Sequence, residues 1–246
     1  MDFERRGANS VGEDDVRVLS LVDIFEPLSP EEIKQINWKS LSTCAGRGKT
    51  FYTPMDLAET LFVVREGRVR VFRKSPGERE FTVAMLGSGT VFGEMSLTGQ
   101  RLRNSYSQAV EDSEVAAMCR ADVERLILDR PRVGLQLVHL LSNRLWASET
   151  RMEDLATKMV PARLASLILL LVEEQGVVTR EGYKIPVRYT HRQLGTMIGA
   201  NREAVTRAFS RLREAGAIAT RRRFIHVEDI EILREATEDD FFHEEG

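Results

Sequence analysis

The chain has 246 residues, with 35 Lys+Arg against 38 Asp+Glu and a formal net charge of −3. That balance argues against a uniformly basic nucleic-acid binder, and 42% hydrophobic content argues against a disordered chain. Two cysteines and four histidines leave little for a zinc site or a four-cysteine iron–sulfur cluster, and the longest apolar run, 167–172, is far short of the ~20 residues a membrane span needs.

In chain order, residues 1–19 read as a charged leader without the apolar core of a signal peptide, so the cytoplasm is the expected compartment. Ser29-Pro30-Glu31-Glu32 predicts a short helix with a Ser N-cap, Pro at the first position and acids in the first turn. Residues 50–118 alternate, as in Arg68-Val69-Arg70-Val71, and are punctuated by glycines. They predict an all-β sandwich or barrel within a domain spanning 20–130. Cys44 and Cys119 are expected as buried reduced thiols; a disulfide requires Cα atoms within about 7 Å.

After Pro131 the period becomes helical, and 131–160 is assigned to a dimerisation helix. Val138, Leu141, Leu145, Ser148, Met152, Leu155 and Met159 alternate spacings of three and four, the heptad seam of a parallel homodimer. One helix packed on its own domain would show the same stripe. Pro161 is expected to end or kink that helix.

A third domain, 161–234, opens with an apolar helix that Gly176 caps. Thr190-His191-Arg192-Gln193 matches a capping box before a short helix that stops near Gly199. Asn201 then caps a second helix that buries Val205, Phe209 and Leu212, a helix-turn-helix pattern. Segments 217–220 and 224–227 around Arg221-Arg222-Arg223 read as a β wing.

Charge follows this division. Residues 188–225 hold nine arginines against two acids, whereas the tail, 235–246, holds six acids and no Lys or Arg, a solvated end able to screen the basic face. Arg202, Glu203 and Arg207 lie where a helix entering the major groove reaches base edges. Arg matches guanine O6 and N7, and Glu accepts from cytosine N4. Arg192, Arg211, Arg221, Arg222 and Arg223, with the capping residues Thr190 and Asn201, are the candidate phosphate contacts. Gly48-Lys49-Thr50 imitates the end of a phosphate loop, yet Phe51-Tyr52-Thr53-Pro54 cannot open the helix such a loop needs.

Gly93-Glu94-Met95 with Arg103, then a long helix, then Arg202-Glu203-x-x-x-Arg207, resembles the CRP/FNR family of bacterial transcription regulators over roughly 20–232. The resemblance implies an α+β chain: a cyclic-nucleotide-binding-type β-roll (jelly roll), a dimerisation helix and a winged helix-turn-helix. It implies a homodimeric, non-enzymatic regulator that reads a palindromic TGTGA-like site on double-stranded DNA and works with RNA polymerase. Gly93, Glu94, Met95, Arg103 and Asn104, with Ser148 and Glu149 on the helix, would hold a small effector, cyclic AMP or another such as a 2-oxo acid. Three departures bear on cyclic AMP: Asn104 stands where Ser or Thr is usual, the loop from Glu94 to Arg103 is one residue short, and Glu149, where the cyclic-AMP receptor has a hydroxyl, would either accept from an adenine amino group or repel an anionic effector. Glu94 and Arg103 pairing with each other would instead close an unused pocket and leave an effector-independent regulator, set by abundance or a protein partner. No metal or haem is expected, His139 reading as a packing residue.

Overall fold

The computed structural model describes residues 23–35, 43–97, 99, 101–238 and 241. They fall into two compact units, Met1–Leu145 and Trp146–Gly246. The leader 1–19 and most of the acidic tail lie outside the described residues.

In the first unit, a 3-10 turn at Asp23–Phe25 precedes helix α1, Pro30–Gln35. The Glu32 amide donates to Ser29 Oγ at 3.2 Å and the Ser29 amide to the Glu32 carboxylate at 2.9 Å, a reciprocal cap. Eight strands follow: β1 Thr43–Ala45, β2 Thr50–Tyr52, β3 Thr60–Glu66, β4 Val69–Lys74, β5 Glu80–Leu86, β6 Val91–Phe92, β7 Tyr106–Ala109 and β8 Ser113–Cys119. They pair antiparallel into two four-stranded sheets, β1-β8-β3-β6 and β2-β7-β4-β5. Alternation along β3 explains the layering. Leu61 and Val63 point to a core shared with Ile24, Phe25, Ile33 and two later helices. Phe62 and Val64 point to the space between the sheets, with Tyr52, Val69, Leu86 and Phe92.

Those helices are α2, Arg120–Asp129, and α3, Pro131–Thr157. Pro131 at its first position needs no amide partner there. Val133 and Leu137 of α3 are buried in the first unit's core, with Leu140 packed at its edge. The predicted seam lies on a different stripe. Val138 is 57% exposed, Leu145 60% and Met152 61%.

The second unit holds α4, Val160–Gln175, the hairpin β9 Val177–Thr179 and β10 Gly182–Lys184, α5 His191–Ile198, α6 Arg202–Glu214, β11 Ile218–Arg221, β12 Phe224–Val227 and α7 Ile230–Glu235. Both halves of the Thr190–Gln193 capping box are made. Gly199 adopts φ +67°, a left-handed conformation that ends α5 and turns the chain. Asn201 Oδ1 then accepts the Ala204 amide at 2.8 Å, which starts α6. Val205, Phe209 and Leu212 join Leu164, Ile168, Leu171 and Leu194 in one core.

Three expectations change. Pro161 sits in the first turn of α4, where its missing amide is harmless, so it begins a helix rather than ending one. Cys44 and Cys119 are exposed, not buried. Cys44 lies opposite Glu114 on β8, and Cys119 lies five residues further along, about 16 Å at strand spacing, too far for a bridge within the chain. His139, read as packing, is exposed on α3. Gly48 leads into the strand β2, so the imitation phosphate loop has no helix behind it.

Candidate functional site

In the β domain, Gly93 turns the chain from β6 into a short 3-10 turn, Glu94–Leu97, with φ +81°. A Cβ at this position would stand 2.9 Å from the Thr60 carbonyl oxygen and 3.0 Å from Arg103 Nη1, so only glycine admits both neighbours. Arg103 fills that space and is 3% exposed. Its Nη1 donates to the Gly93 carbonyl at 2.8 Å and its Nη2 to the Thr60 carbonyl at 2.5 Å. The guanidinium lies over the Tyr52 ring, 4.5 Å from its centroid.

Burial lowers the Arg103 pKa, with Tyr52 and Glu94 opposing the shift, but a guanidinium starts so high that it remains charged. Burial, then the Glu94 charge, raises the Tyr52 pKa, so that hydroxyl remains a donor. Three buried atoms here have no hydrogen-bond partner among the described residues: Arg103 Nε, Ser96 Oγ and Ser107 Oγ. A buried donor left unmade carries a penalty of about 1–3 kcal/mol. A small polar ligand would relieve it.

Glu94 and Arg103 do not pair with each other. The Glu94 carboxylate accepts from Arg144 of α3 at 2.8 Å, and Arg144 also donates to the Val91 carbonyl. Arg144 escapes the sequence reading because the seam drew attention to the other stripe of α3. Val133, Leu137, Leu140 and Arg144 recur at helical spacing, and that second stripe is the signal. Met95 is half-buried and Asn104 exposed, while Ser148 and Glu149 are exposed on α3 within the second unit.

In the second unit, Arg202, Glu203 and Arg207 are all exposed along α6, and Arg192 is exposed on α5. Thr190 and Asn201 are engaged as caps. Arg211 is exposed near the end of α6. Arg221 bonds two carboxylates, Glu181 and Glu228, so its charge is already matched within the protein. Lys184 and Arg188 flank the Phe224 ring at 4.2 and 4.9 Å and add to the basic wing.

Arg222 and Arg223 form the two-residue tip of the β11–β12 hairpin, with φ +51° and +69° and Arg221 opposite Phe224. This is the left-handed pair that a tight hairpin demands and that Asn-Gly fills best. Side-chain-bearing residues there cost roughly 1–2 kcal/mol each. Replacing Arg222-Arg223 by Asn-Gly is expected to stabilise the second unit by about 1–2 kcal/mol. With both arginines on DNA phosphates, as expected from the sequence, the same change should reduce the slope of log affinity against log salt by nearly two per protomer. Denaturation and affinity at several salt concentrations check both signs; an unchanged slope removes the tip from the DNA interface.

Comparison with known proteins covers both regions. A cyclic nucleotide-binding domain model matches residues 45–130 and a Crp-like helix-turn-helix domain model matches 162–236. The cyclic AMP receptor protein of Thermus thermophilus is 32% identical over 86% of this chain and 95% of its own length. The global nitrogen regulator of Synechococcus elongatus is 32% identical over 74% of this chain and 82% of its own. The crystal structure of a CRP-family transcriptional regulator from Thermus thermophilus superimposes with a TM-score of 0.64 at 26% identity, covering 81% of this chain and 96% of that one.

Proposed function

The chain belongs to the CRP/FNR family of transcription regulators, and from that premise we propose a homodimer that reads a palindromic DNA site and is switched by a small anionic effector, with a cyclic nucleotide favoured. Family membership makes it a DNA-binding regulator with an effector-binding domain, not an enzyme. The effector's identity, the dimer, RNA polymerase as partner, the TGTGA-like site and a cytoplasmic setting are the proposed part. No helix among the described residues is long and apolar enough to cross a membrane.

The observation that carries the effector reading is the buried Arg103 guanidinium, bonded to the Gly93 carbonyl beside Glu94, with an Nε that has no partner among the described residues. A cyclic phosphate would take Arg103. A ribose 2′-hydroxyl would donate to Glu94, whose other contact is Arg144 of α3. A ligand at Glu94 is therefore one ion pair away from the helix that bears the proposed seam. Exposed Val138, Leu145 and Met152 support that seam. Such a ligand favours one arrangement of two protomers through differential contacts alone.

One observation favours a second reading. Both terminal nitrogens of Arg103 are engaged by backbone carbonyls and Glu94 by Arg144, so the cradle holds together without a ligand. Asn104 and Glu149, which depart from the cyclic-AMP receptor pattern, keep another small effector such as a 2-oxo acid as the other class. Isothermal titration with cyclic AMP, cyclic GMP and 2-oxoglutarate decides, followed by DNA binding with and without each. Cyclic AMP is expected to bind saturably, to strengthen DNA affinity and to lose both effects in Arg103→Met. DNA binding at full strength with no heat from any of the three establishes effector-independent control.

A further inference from the structure

His191 opens α5, and its ring lies against Phe209 of α6 with centroids 5.1 Å apart. Its Nδ1 is 2.8 Å from Thr206 Oγ1, and that hydroxyl also stands 2.9 Å from the Arg202 carbonyl. A threonine hydroxyl has one hydrogen and a carbonyl can only accept, so with that hydrogen on the Arg202 carbonyl the hydroxyl accepts from His191. Nδ1 therefore carries the ring proton of neutral His191. Nε2 then holds the lone pair, with no hydrogen-bond partner among the described residues. Thr206 and Arg202 are both exposed, so the imidazole continues the surface of the recognition helix toward exposed Arg192.

We propose that His191 contacts a DNA phosphate and takes up a proton when DNA binds. This deepens, and rests on, the reading of this face as the DNA interface. With Thr206 donating to Arg202, a phosphate oxygen and neutral Nε2 both accept, so the imidazolium makes the bond; a Thr206 hydroxyl turned onto Nδ1 would instead leave a neutral Nε2–H donor and bind with no proton uptake, the outcome that a flat pH profile reports. In the free protein, burial and then the Arg202 charge hold the His191 pKa below the usual imidazole range. Arg202 is the charged group acting on the ring from α6, where Thr206 and Phe209 are neutral, and Arg192 is its charged neighbour on α5. Phosphates act in the opposite direction and raise the value. Between the free and bound values, affinity strengthens as pH falls. Below both values the gain is complete, about tenfold per half-site for each unit of pKa shift on binding.

The test uses the full chain, a palindromic TGTGA duplex and a scrambled duplex, at fixed ionic strength, with and without cyclic AMP. Anisotropy is read from about pH 8.5 to pH 5.5, across the imidazole range. Calorimetry in two buffers of different ionisation enthalpy counts protons on the unmodified protein. Tighter binding on acidification with proton uptake is expected. His191→Gln should bind at the weak, high-pH strength throughout, and His191→Arg tightly and without slope, while His226→Gln keeps the wild-type slope. Wild-type binding flat with pH, or a slope that survives His191→Gln, overturns the assignment and leaves the DNA interface standing. Failure of the wild type to bind any duplex overturns both.

Discussion

Replacing Phe92 by alanine is expected to cost the β domain about 3–5 kcal/mol, the usual penalty for emptying a buried aromatic site. Phe92 is 0% exposed. Its ring stacks on Phe62 at 4.9 Å and stands edge-on to Phe51 at 5.6 Å, with Tyr52 at 6.2 Å. Strand β6 is two residues long and pairs only with β3 among the described residues, so little backbone can move inward to fill the void. The loss should reach the effector cradle as well. Phe92 directly precedes Gly93, and its ring supports the Tyr52 and Phe62 wall on which the Arg103 guanidinium lies. Two compact units mean two unfolding transitions are to be followed, one for each. The β-domain transition should shift and the helix-turn-helix transition should not. A loss below about 1 kcal/mol would show that Phe51 and Phe62 repack into the space.

The second large effect belongs to Arg202→Ala. On the proposed reading Arg202 makes a bidentate contact to one guanine, which contributes about 1–3 kcal/mol of discrimination, and its removal should relax preference at that one base pair in each half-site. Arg202 is the first residue of α6, held there by the Asn201 cap, so alanine at 202 leaves the helix intact. A panel of duplexes varied one position at a time gives the reading. Equal weakening on every duplex would make Arg202 a phosphate contact instead.

Local chemistry was legible in the sequence wherever a side chain meets its own backbone. The caps at Ser29, Thr190 and Asn201 are all made where the residue order placed them. Periodicity was legible too, in the β alternation around Val69 and in the long helix. Contacts between residues far apart in sequence were not. Arg144 and Glu94 are fifty residues apart, and nothing in either neighbourhood names the other. Nor does the sequence around Arg103 name the Gly93 and Thr60 carbonyls that the fold brings to its terminal nitrogens. The cysteines were misjudged for a related reason. Residue type favours burial, but Cys44 sits on an edge strand and Cys119 at the last position of β8.

With Arg222 and Arg223 on DNA as proposed, the wing tip sets two selective pressures against each other at a pair of adjacent codons. In a library selected for heat resistance alone, Arg222 and Arg223 should be among the first positions to drift, toward asparagine and glycine, because the turn relaxes when they leave. In a library selected for repression or activation of a reporter, the same two positions should hold. The order in which those lineages diverge would weigh backbone strain against DNA contact without a single binding constant being measured.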